Sequence, residues 1–149
     1  MIGQLCTFVL GDYLFGVDVR NVQEVIRHLD MTPVPLASSV VRGLINLRGQ
    51  IVTAIEMRQR LGLPPRAGAE PMNVVVCTGD GIISLLVDEI GDVVEVDERR
   101  FERAPETMTG AFRELVPGVY KLDGRLLLVL DVERVTAEGP PGHRHEKAA

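Results

Sequence analysis

Histidine and cysteine, the side chains best suited to catalysis or metal binding, are few in this chain and lie far apart. There are three histidines and two cysteines among 149 residues. Cys6 and Cys77 have no histidine near them in sequence to act as the base that a thiol nucleophile needs. His28 lies in a charged loop entry, and flexible terminal histidines such as His143 and His145 seldom bind metal without further ligands. We therefore expect no catalytic residues, no metal site and no cofactor.

Motifs that mark common enzyme classes are absent from the sequence. It has no G-x-G-x-x-G segment, no phosphate-binding P-loop, no G-x-S-x-G elbow and no H-E-x-x-H motif. The neighbouring carboxylates at 88–89 and 97–98 are typical of solvated faces rather than of an acid–base pair with separated pKa values. The sequence thus favours a protein that is not an enzyme.

Two charged residues stand out because apolar residues surround them. Glu24 lies within the run 22–26, and Arg48 lies within the segment 46–49. In one interpretation, Arg48 is an exposed turn residue and Glu24 faces solvent from a strand. In the other, a guanidinium–carboxylate fork joins the two and shapes a surface for a partner, although an exposed pair adds only about 0–1 kcal/mol to stability. The residues alone leave both interpretations open.

The composition excludes several classes of protein. Hydrophobic residues are 46% of the chain and charged residues 25%, which is ordinary for a folded domain and argues against disorder. The net charge of −5 disfavours nucleic acid and anionic membranes as partners, because their phosphates require clustered cations. No apolar run is long enough to cross a bilayer, and the first residues lack the features of a signal peptide. We expect a cytoplasmic protein with no direct membrane insertion, and buried reduced thiols at Cys6 and Cys77, with a disulfide as the alternative.

An internal repeat organises the sequence. Residues 43–52 are echoed by 118–127 at an offset of about 75 residues, and an acidic residue and a short amphipathic segment follow each copy. Upstream, residues 11–25 are echoed by 79–93 at an offset of about 68. Two echoes in the same order indicate a duplicated unit of about 70 residues.

Each unit has the pattern of β-strands joined by tight turns. Apolar and polar residues alternate on both sides of Gly11-Asp12, and apolar runs flank Gly79-Asp80-Gly81. Asp123-Gly124 is the strongest hairpin signal, because both residue types tolerate positive φ, and Arg48-Gly49 occupies the equivalent turn. The sequence therefore predicts mainly antiparallel hairpins.

Short helices and loops interrupt the strands. Glu56 and Asp131 suit the first turns of short helical segments, where a carboxylate meets free backbone N–H groups. Two prolines end the first of these, and the segment 63–71 has the composition of a linker between the units. Residues 31–39 and 97–114 are expected to form corresponding loop excursions.

The expected fold is all-β, with two small five-stranded barrels packed together. A barrel of about 70 residues has a marginal core, so packing two against each other removes further apolar surface from water. We expect a single domain, 1–136, made of lobes at about 1–66 and 72–136, and the sequence leaves open whether strands are exchanged between them. Residues 137–149 offer little to bury and are expected to be a disordered tail.

Four segments resemble the CheW family of chemotaxis coupling proteins. The most specific is 41–52, in which 43–49, Gly-Leu-Ile-Asn-Leu-Arg-Gly, is similar to the family's G-x-x-N-L-R-G segment. The supporting segments lie at 16–25, 87–93 and 128–133. The resemblance covers nearly the whole chain, from about Gln4 to Val135.

The resemblance implies a fold, a function and a set of partners. The fold is a pair of SH3-like five-stranded β-barrels with short helical segments. The function is that of a non-catalytic adaptor, which couples the regulatory domain of a CheA-type histidine kinase to the cytoplasmic helical tips of methyl-accepting chemoreceptors. Other CheW-like domains in arrays are further expected partners, and recruitment to membrane-associated receptor arrays is expected. By position, the partner-binding residues are Val22, Glu24, Gly43, Asn46, Arg48 and Gly49, to which we add Val87 and Ile90 as expected apolar surface of the second unit.

Two alternatives stay open at the level of sequence. The chain could serve a non-flagellar chemosensory pathway, such as pilus or gliding motility, or it could be a small-ligand-binding β-barrel module. It also departs from the family pattern at Thr53-Ala54 and Glu56-Met57, where other residues are more common. Neither departure affects the adaptor prediction.

Overall fold

The computed structural model describes residues 2–68 and 70–136, which form mainly short strands. The predicted disordered tail, 137–149, with its His143 and His145, lies outside the described residues. The strands are β1 (Ile2–Leu10), β2 (Tyr13–Asp18), β3 (Val22–Ile26), β4 (Val41–Leu47), β5 (Gln50–Glu56), β6 (Met72–Thr78), β7 (Gly81–Val87), β8 (Glu89–Asp97), β9 (Glu102–Arg103), β10 (Gly118–Leu122) and β11 (Arg125–Val129). The short helices are α1 (Met57–Arg60), α2 (Gly110–Leu115) and α3 (Val132–Val135), and single 3₁₀ turns lie at Val19–Asn21 and Glu98–Arg100.

The strands form two sheets, which confirms the predicted all-β fold. The larger sheet has the order β8-β1-β2-β11-β10-β9, and the smaller has the order β3-β6-β7-β5-β4. Neighbouring strands are antiparallel except for two parallel pairs, β2 with β11 and β5 with β7. The sixth strand of the larger sheet is the two-residue β9.

Each sheet takes strands from both halves of the sequence. The β1–β2 hairpin joins a sheet whose other strands come from the second half, and the β6–β7 hairpin joins a sheet whose other strands come from the first half. Each half therefore contributes one hairpin to the sheet of the other. Neither sheet is complete without both halves.

The strand registers confirm the internal repeat. Thr53 lies opposite Ile83 in the parallel pair β5–β7, and their repeat equivalents, Leu128 and Phe15, lie opposite each other in the parallel pair β11–β2. The antiparallel pairs β3–β6 and β8–β1 are related in the same way, and each contains a register shift. The two halves thus have equivalent strand pairings.

The largest apolar core lies between the two sheets. It contains Phe8 and Phe15 from the larger sheet and Leu85 from the smaller, all fully buried. The opposite faces of the same strands enclose smaller clusters, around Leu127 in the larger sheet and around Ile45 in the smaller. Most of the apolar surface removed from water therefore joins the two barrels to each other, which favours their folding as one unit.

The glycine shared by both repeats has a steric cause. A Cβ at Gly43 would lie 2.7 Å from the carbonyl oxygen of Thr32, and a Cβ at Gly118 would lie 2.4 Å from that of Glu102. In each repeat the segment before the hairpin lies against the first strand of that hairpin. In the first repeat, Thr32 exchanges two backbone hydrogen bonds with Leu44. Only glycine leaves room for this approach.

The predicted helix starts are confirmed, whereas the predicted burial of the two cysteines is not. The carboxylate of Glu56 accepts from the amide of Arg58 at 3.4 Å, and that of Asp131 accepts from the amide of Glu133 at 3.0 Å. Both cysteines are free thiols, but Cys77 is exposed, because it lies near the outer end of β6, and Cys6 is only half-buried. Among the described residues, no helix has the length and hydropathy needed to span a membrane.

Candidate functional site

The turn between β4 and β5 presents Arg48 at the end of the smaller sheet. Arg48 has φ +51° and Gly49 has φ +87°, the backbone conformation of a tight two-residue hairpin turn. The side-chain oxygen of Asn46 accepts a hydrogen bond from the amide of Gly49 at 2.8 Å, which stabilises this turn. The three residues predicted to bind a partner here thus form one rigid turn with an arginine at its tip.

Arg48 is paired with Glu24 across the smaller sheet. Its Nη1 donates to Oε1 of Glu24 at 3.3 Å and its Nη2 donates to Oε2, which is the two-pronged geometry of an arginine–carboxylate fork. Glu24 lies on β3 and Arg48 follows β4, and these strands are the two edges of the sheet. The pair therefore links the two edges of the sheet, which the curl of the strands brings close together. The pairing of these residues is therefore confirmed, and Arg48 is also an exposed turn residue; recognition of this surface by a partner stays a prediction.

The pair exists in only one of the two repeats. The repeat equivalent of Glu24 is Asp92, and the equivalent of Arg48 is Asp123. Two carboxylates repel each other, so the second barrel cannot form this ion pair. The side chain of Arg48 is 67% exposed and that of Glu24 24%, so the fork is accessible to another protein. The first barrel thus carries a charged surface feature that the second barrel lacks.

Val22 and Ile90 occupy equivalent places beside the core between the sheets. Val22 begins β3 and Ile90 lies near the start of β8, and the repeat offset relates the two positions. Both are partly buried and pack against the core shared by the two sheets. They therefore add apolar surface where the barrels meet.

Two of the predicted partner-binding residues are buried. Val87 is 0% exposed and packs in the core between the sheets, so the prediction that it contributes apolar surface is wrong. It lies at the end of β7, whose side chains alternate between two buried environments rather than between core and solvent. Gly43 is also buried, and its close approach to Thr32 gives it a role in the fold.

A cluster of four charged side chains lies where the chain passes between the two sheets, and sequence reasoning missed it. Asp88, between β7 and β8, accepts from Nε of Arg58 at 2.9 Å, from Nε of Arg66 at 3.0 Å and from the amide of Gly11 at 2.8 Å. Arg66 also forks the carboxylate of Glu56, at 2.8 and 3.0 Å. Because the pair at 88–89 has the pattern of a solvated face, nothing in the sequence marked Asp88 as different.

The electrostatics of this cluster stabilise the ionised form of Asp88. Burial acts to raise its pKa, but the hydrogen bonds from Arg58, the Gly11 amide and Arg66 outweigh burial and lower the pKa to about 2. The side chain of Asp88 is 18% exposed. The cluster is therefore a permanently charged, largely enclosed joint at neutral pH.

An apolar cleft of about 520 Å³ opens beside the larger sheet. Tyr13, Leu126, Phe112 and Met108 contribute to its lining. The ring centroids of Tyr13 and Phe112 lie 4.9 Å apart, so aromatic packing supports one wall. In the part of the chain that the structure describes, no group of three or more potential metal ligands comes together.

Comparison with known proteins places this fold and its sequence in a family. The chain matches the family model of the CheW-like domain over residues 4–139. Chemotaxis protein CheW of Treponema pallidum is 31% identical over 137 residues, which cover 89% of this chain and 81% of that protein. Chemotaxis protein CheW of Thermotoga maritima is 29% identical over 135 residues, which cover 91% of this chain and 88% of that protein.

A solved structure agrees with the sequence comparison. The crystal structure of the scaffolding protein TtCheW from Thermoanaerobacter tengcongensis matches with a TM-score of 0.85 and 26% identity, and the match covers 93% of this chain and 95% of that one. The shared fold and the family model point to the same group of proteins. This chain belongs to the CheW-like family of chemotaxis scaffold proteins.

Proposed function

We propose that this chain is a non-catalytic adaptor that couples a CheA-type histidine kinase to the cytoplasmic helical tips of methyl-accepting chemoreceptors. Its membership of a family of chemotaxis scaffold proteins supports the proposal. The observation that carries it is the Glu24–Arg48 pair, which one barrel has and the other excludes by charge.

An adaptor must hold two different partners at once, and a symmetric molecule would present the same surface twice. In this chain the repeat supplies the common barrel, and the differences between the repeats supply distinct surfaces. The exposed fork at Arg48 suits a partner with its own polar hairpin surface, such as the regulatory domain of the kinase.

The receptor is expected at the junction of the barrels. Val22 and Ile90 present apolar surface there from two edge strands, and an amphipathic helix docks by placing its apolar face against such a surface. Each contact is small, but many adaptors in one receptor array act together, so modest single affinities suffice for stable recruitment to the membrane-associated array.

Packed apolar side chains, mostly aliphatic with Tyr120 among them, fill both barrel interiors, which supports an adaptor over a small-ligand-binding barrel. The pathway it serves, swimming or surface motility, depends on which kinase and receptors it binds. Assays with the kinases and receptors of each chemosensory pathway in the source cell would distinguish the two.

Co-sedimentation tests the proposal. Receptor cytoplasmic fragments assembled on vesicles are mixed with the kinase, with and without this chain, and pelleted. We expect the kinase to pellet with the receptor several-fold more when this chain is present, and the chain itself to pellet with either partner. Kinase recruitment that does not depend on the chain would contradict the adaptor function.

A further inference from the structure

Arg66 is an arginine of the linker between the repeats, yet its side chain is only 9% exposed. Linker residues with long charged side chains normally point into solvent, where hydration is favourable. Here the guanidinium lies between the carboxylates of Glu56 and Asp88, with Nη1 and Nη2 on the first and Nε on the second. Its burial therefore depends on those two partners.

The two carboxylates belong to different parts of the fold. Glu56 ends β5 in the smaller sheet and begins α1, whereas Asp88 lies between β7 of the smaller sheet and β8 of the larger one. The backbone amide of Asp88 donates to the carbonyl of Val9 on β1 at 3.0 Å, so Asp88 is fixed to the larger sheet as well. One arginine thus connects the smaller sheet to the point where the chain enters the larger sheet.

Charge balance makes the connection specific. Glu56 and Asp88 carry two negative charges, and both contact the same guanidinium. Arg58 compensates Asp88, at 2.5 Å between Nη2 and Oδ2, and it contacts Glu56 only through its backbone amide. Without Arg66, Glu56 would face Asp88 in a site where its side chain is only 13% exposed, and an uncompensated charge in such a place is costly.

The linker is held by a second contact from the same cluster. Nη1 of Arg58 donates to the carbonyl oxygen of Pro64 at 2.8 Å, and the amide of Leu63 donates to the carbonyl of Arg58 at 2.7 Å. The residues that precede Arg66 in the sequence are therefore held against α1. The repeat equivalents of Arg58 and Asp88 are Glu133 and Arg20, whose observed partners differ: Arg20 pairs with Asp18, and Glu133 accepts from the amide of Gly79.

We propose that Arg66 is a latch: it pins the linker between Glu56 and Asp88 and so holds β8, with Ile90, in a fixed orientation relative to the smaller sheet. Ile90 follows Asp88 by two residues, so a change at this joint moves one side of the apolar junction between the barrels. The latch is a positioning device and touches no partner itself. It stands independently of which partner the junction binds.

Hydrogen–deuterium exchange tests the latch directly, because exchange reports local opening. We compare the native chain with Arg66→Met, which removes the charge but keeps an unbranched side chain, and with Arg66→Lys, which keeps the charge but cannot fork. The matched control is Arg99→Met, since Arg99 forms an exposed ion pair with Asp97 on a 3₁₀ turn.

For Arg66→Met we expect exchange at least about tenfold faster at the Gly11 amide, which donates to Asp88, and across residues 88–91, with a smaller increase for Arg66→Lys. Arg99→Met should leave both segments unchanged. Faster exchange confined to the linker, or none, would overturn the proposal. If Arg66→Met fails to fold, Arg66→Lys tests the proposal by itself. Faster exchange at Gly11 and residues 88–91 would support it, and faster exchange confined to the linker, or none, would overturn it.

A distance measurement supplies a second readout that a purely local role in the linker would not change. Spin labels replace the exposed residues Ile51 on β5 and Val93 on β8, in a background where both cysteines are serine. If Arg66 fixes the orientation of β8, the distances between the two labels should have one narrow distribution in the native background and a clearly broader one with Arg66→Met. An unchanged distribution would show that the barrels keep their orientation without Arg66.

Discussion

Arg48 reaches Glu24 although the two residues lie at opposite edges of the five-stranded sheet and share no backbone hydrogen bond. Side chains alone join the edges at this point. The repeat equivalents are both acidic, so the second barrel lacks the link. A surface that distinguishes one barrel from the other is therefore built from two side chains, and it can be altered with little disturbance to either core.

The coupling between Glu24 and Arg48 is testable by charge exchange. Glu24→Arg and Arg48→Glu should each weaken kinase binding, because each leaves two like charges facing each other. The double variant restores an ion pair and should recover part of the loss, which a titration of all four proteins against the kinase regulatory domain measures. Strictly additive losses would show that the residues act separately. Unfolding free energies should change by no more than about 1 kcal/mol, as for other exposed pairs.

Substitution of the repeated glycines should destabilise the chain in a fixed order. Gly118→Ala places a Cβ 2.4 Å from the Glu102 carbonyl oxygen and 2.1 Å from the Phe101 ring, and Gly43→Ala places one 2.7 Å from the Thr32 carbonyl oxygen. Gly124→Ala meets no atom but keeps a φ of +78°, at a cost of about 1 kcal/mol.

Urea unfolding should therefore rank the losses Gly118→Ala, then Gly43→Ala, then Gly124→Ala, with the first two at about 2 kcal/mol or more. A loss at Gly43 no larger than at Gly124 would contradict the close approach of the 31–39 loop.

Acid should weaken the joint between the barrels. The folded pKa of Asp88, about 2, lies below its ordinary value of 3.8, so its contribution to stability is present above about pH 4 and is lost as the pH falls towards 2. The difference corresponds to about 2 kcal/mol. Denaturant unfolding at pH 7 and at pH 2.5 measures it.

The control for this pH effect is Asp88→Asn, which keeps the shape of the side chain without its charge. The variant should be less stable than the native chain at pH 7, and the difference should shrink at pH 2.5. An equal difference in stability at both pH values would contradict the conclusion that Asp88 stabilises the fold through its charge.

The exchange of hairpins predicts that the two halves depend on each other. Chains ending in the linker at residue 67 or beginning at residue 70 should each be largely unfolded alone, because each sheet would lack strands. Mixed or co-expressed, they should associate and recover the circular dichroism spectrum of the intact chain. A half that folds cooperatively by itself, as judged by its thermal transition, would contradict the role of the exchanged hairpins.

The repeat, the strands and the turns were predictable because they depend on local patterns. Alternation marks a strand, and Asp123-Gly124 or Arg48-Gly49 marks a turn, wherever the strands later pair. The exchange of hairpins was left open, because periodicity does not say which strand lies beside which. Pairing Glu24 with Arg48 required the closed barrel, and assigning the two residues to partner binding required the family resemblance.

Burial of the remaining site residues was harder to predict. Val87 reads as apolar surface in the sequence, but the strand that carries it is covered on both faces, so its side chain is enclosed. Asp88 and Arg66 read as a solvated carboxylate and a linker cation, and both are held in the charged joint. Charged residues give no local signal of burial when their partners come from distant segments.

The affinity of the kinase regulatory domain for Arg48→Glu tests the central claim most directly. Arg99→Glu is the matched control, because Arg99 is also exposed and ion-paired but lies on a 3₁₀ turn of the second repeat. Calorimetric titration of the native chain and both variants, with circular dichroism to confirm folding, should show binding weakened at least about tenfold by Arg48→Glu and unchanged by Arg99→Glu. Equal affinity of all three folded proteins would contradict the assignment of the Glu24–Arg48 surface to partner binding.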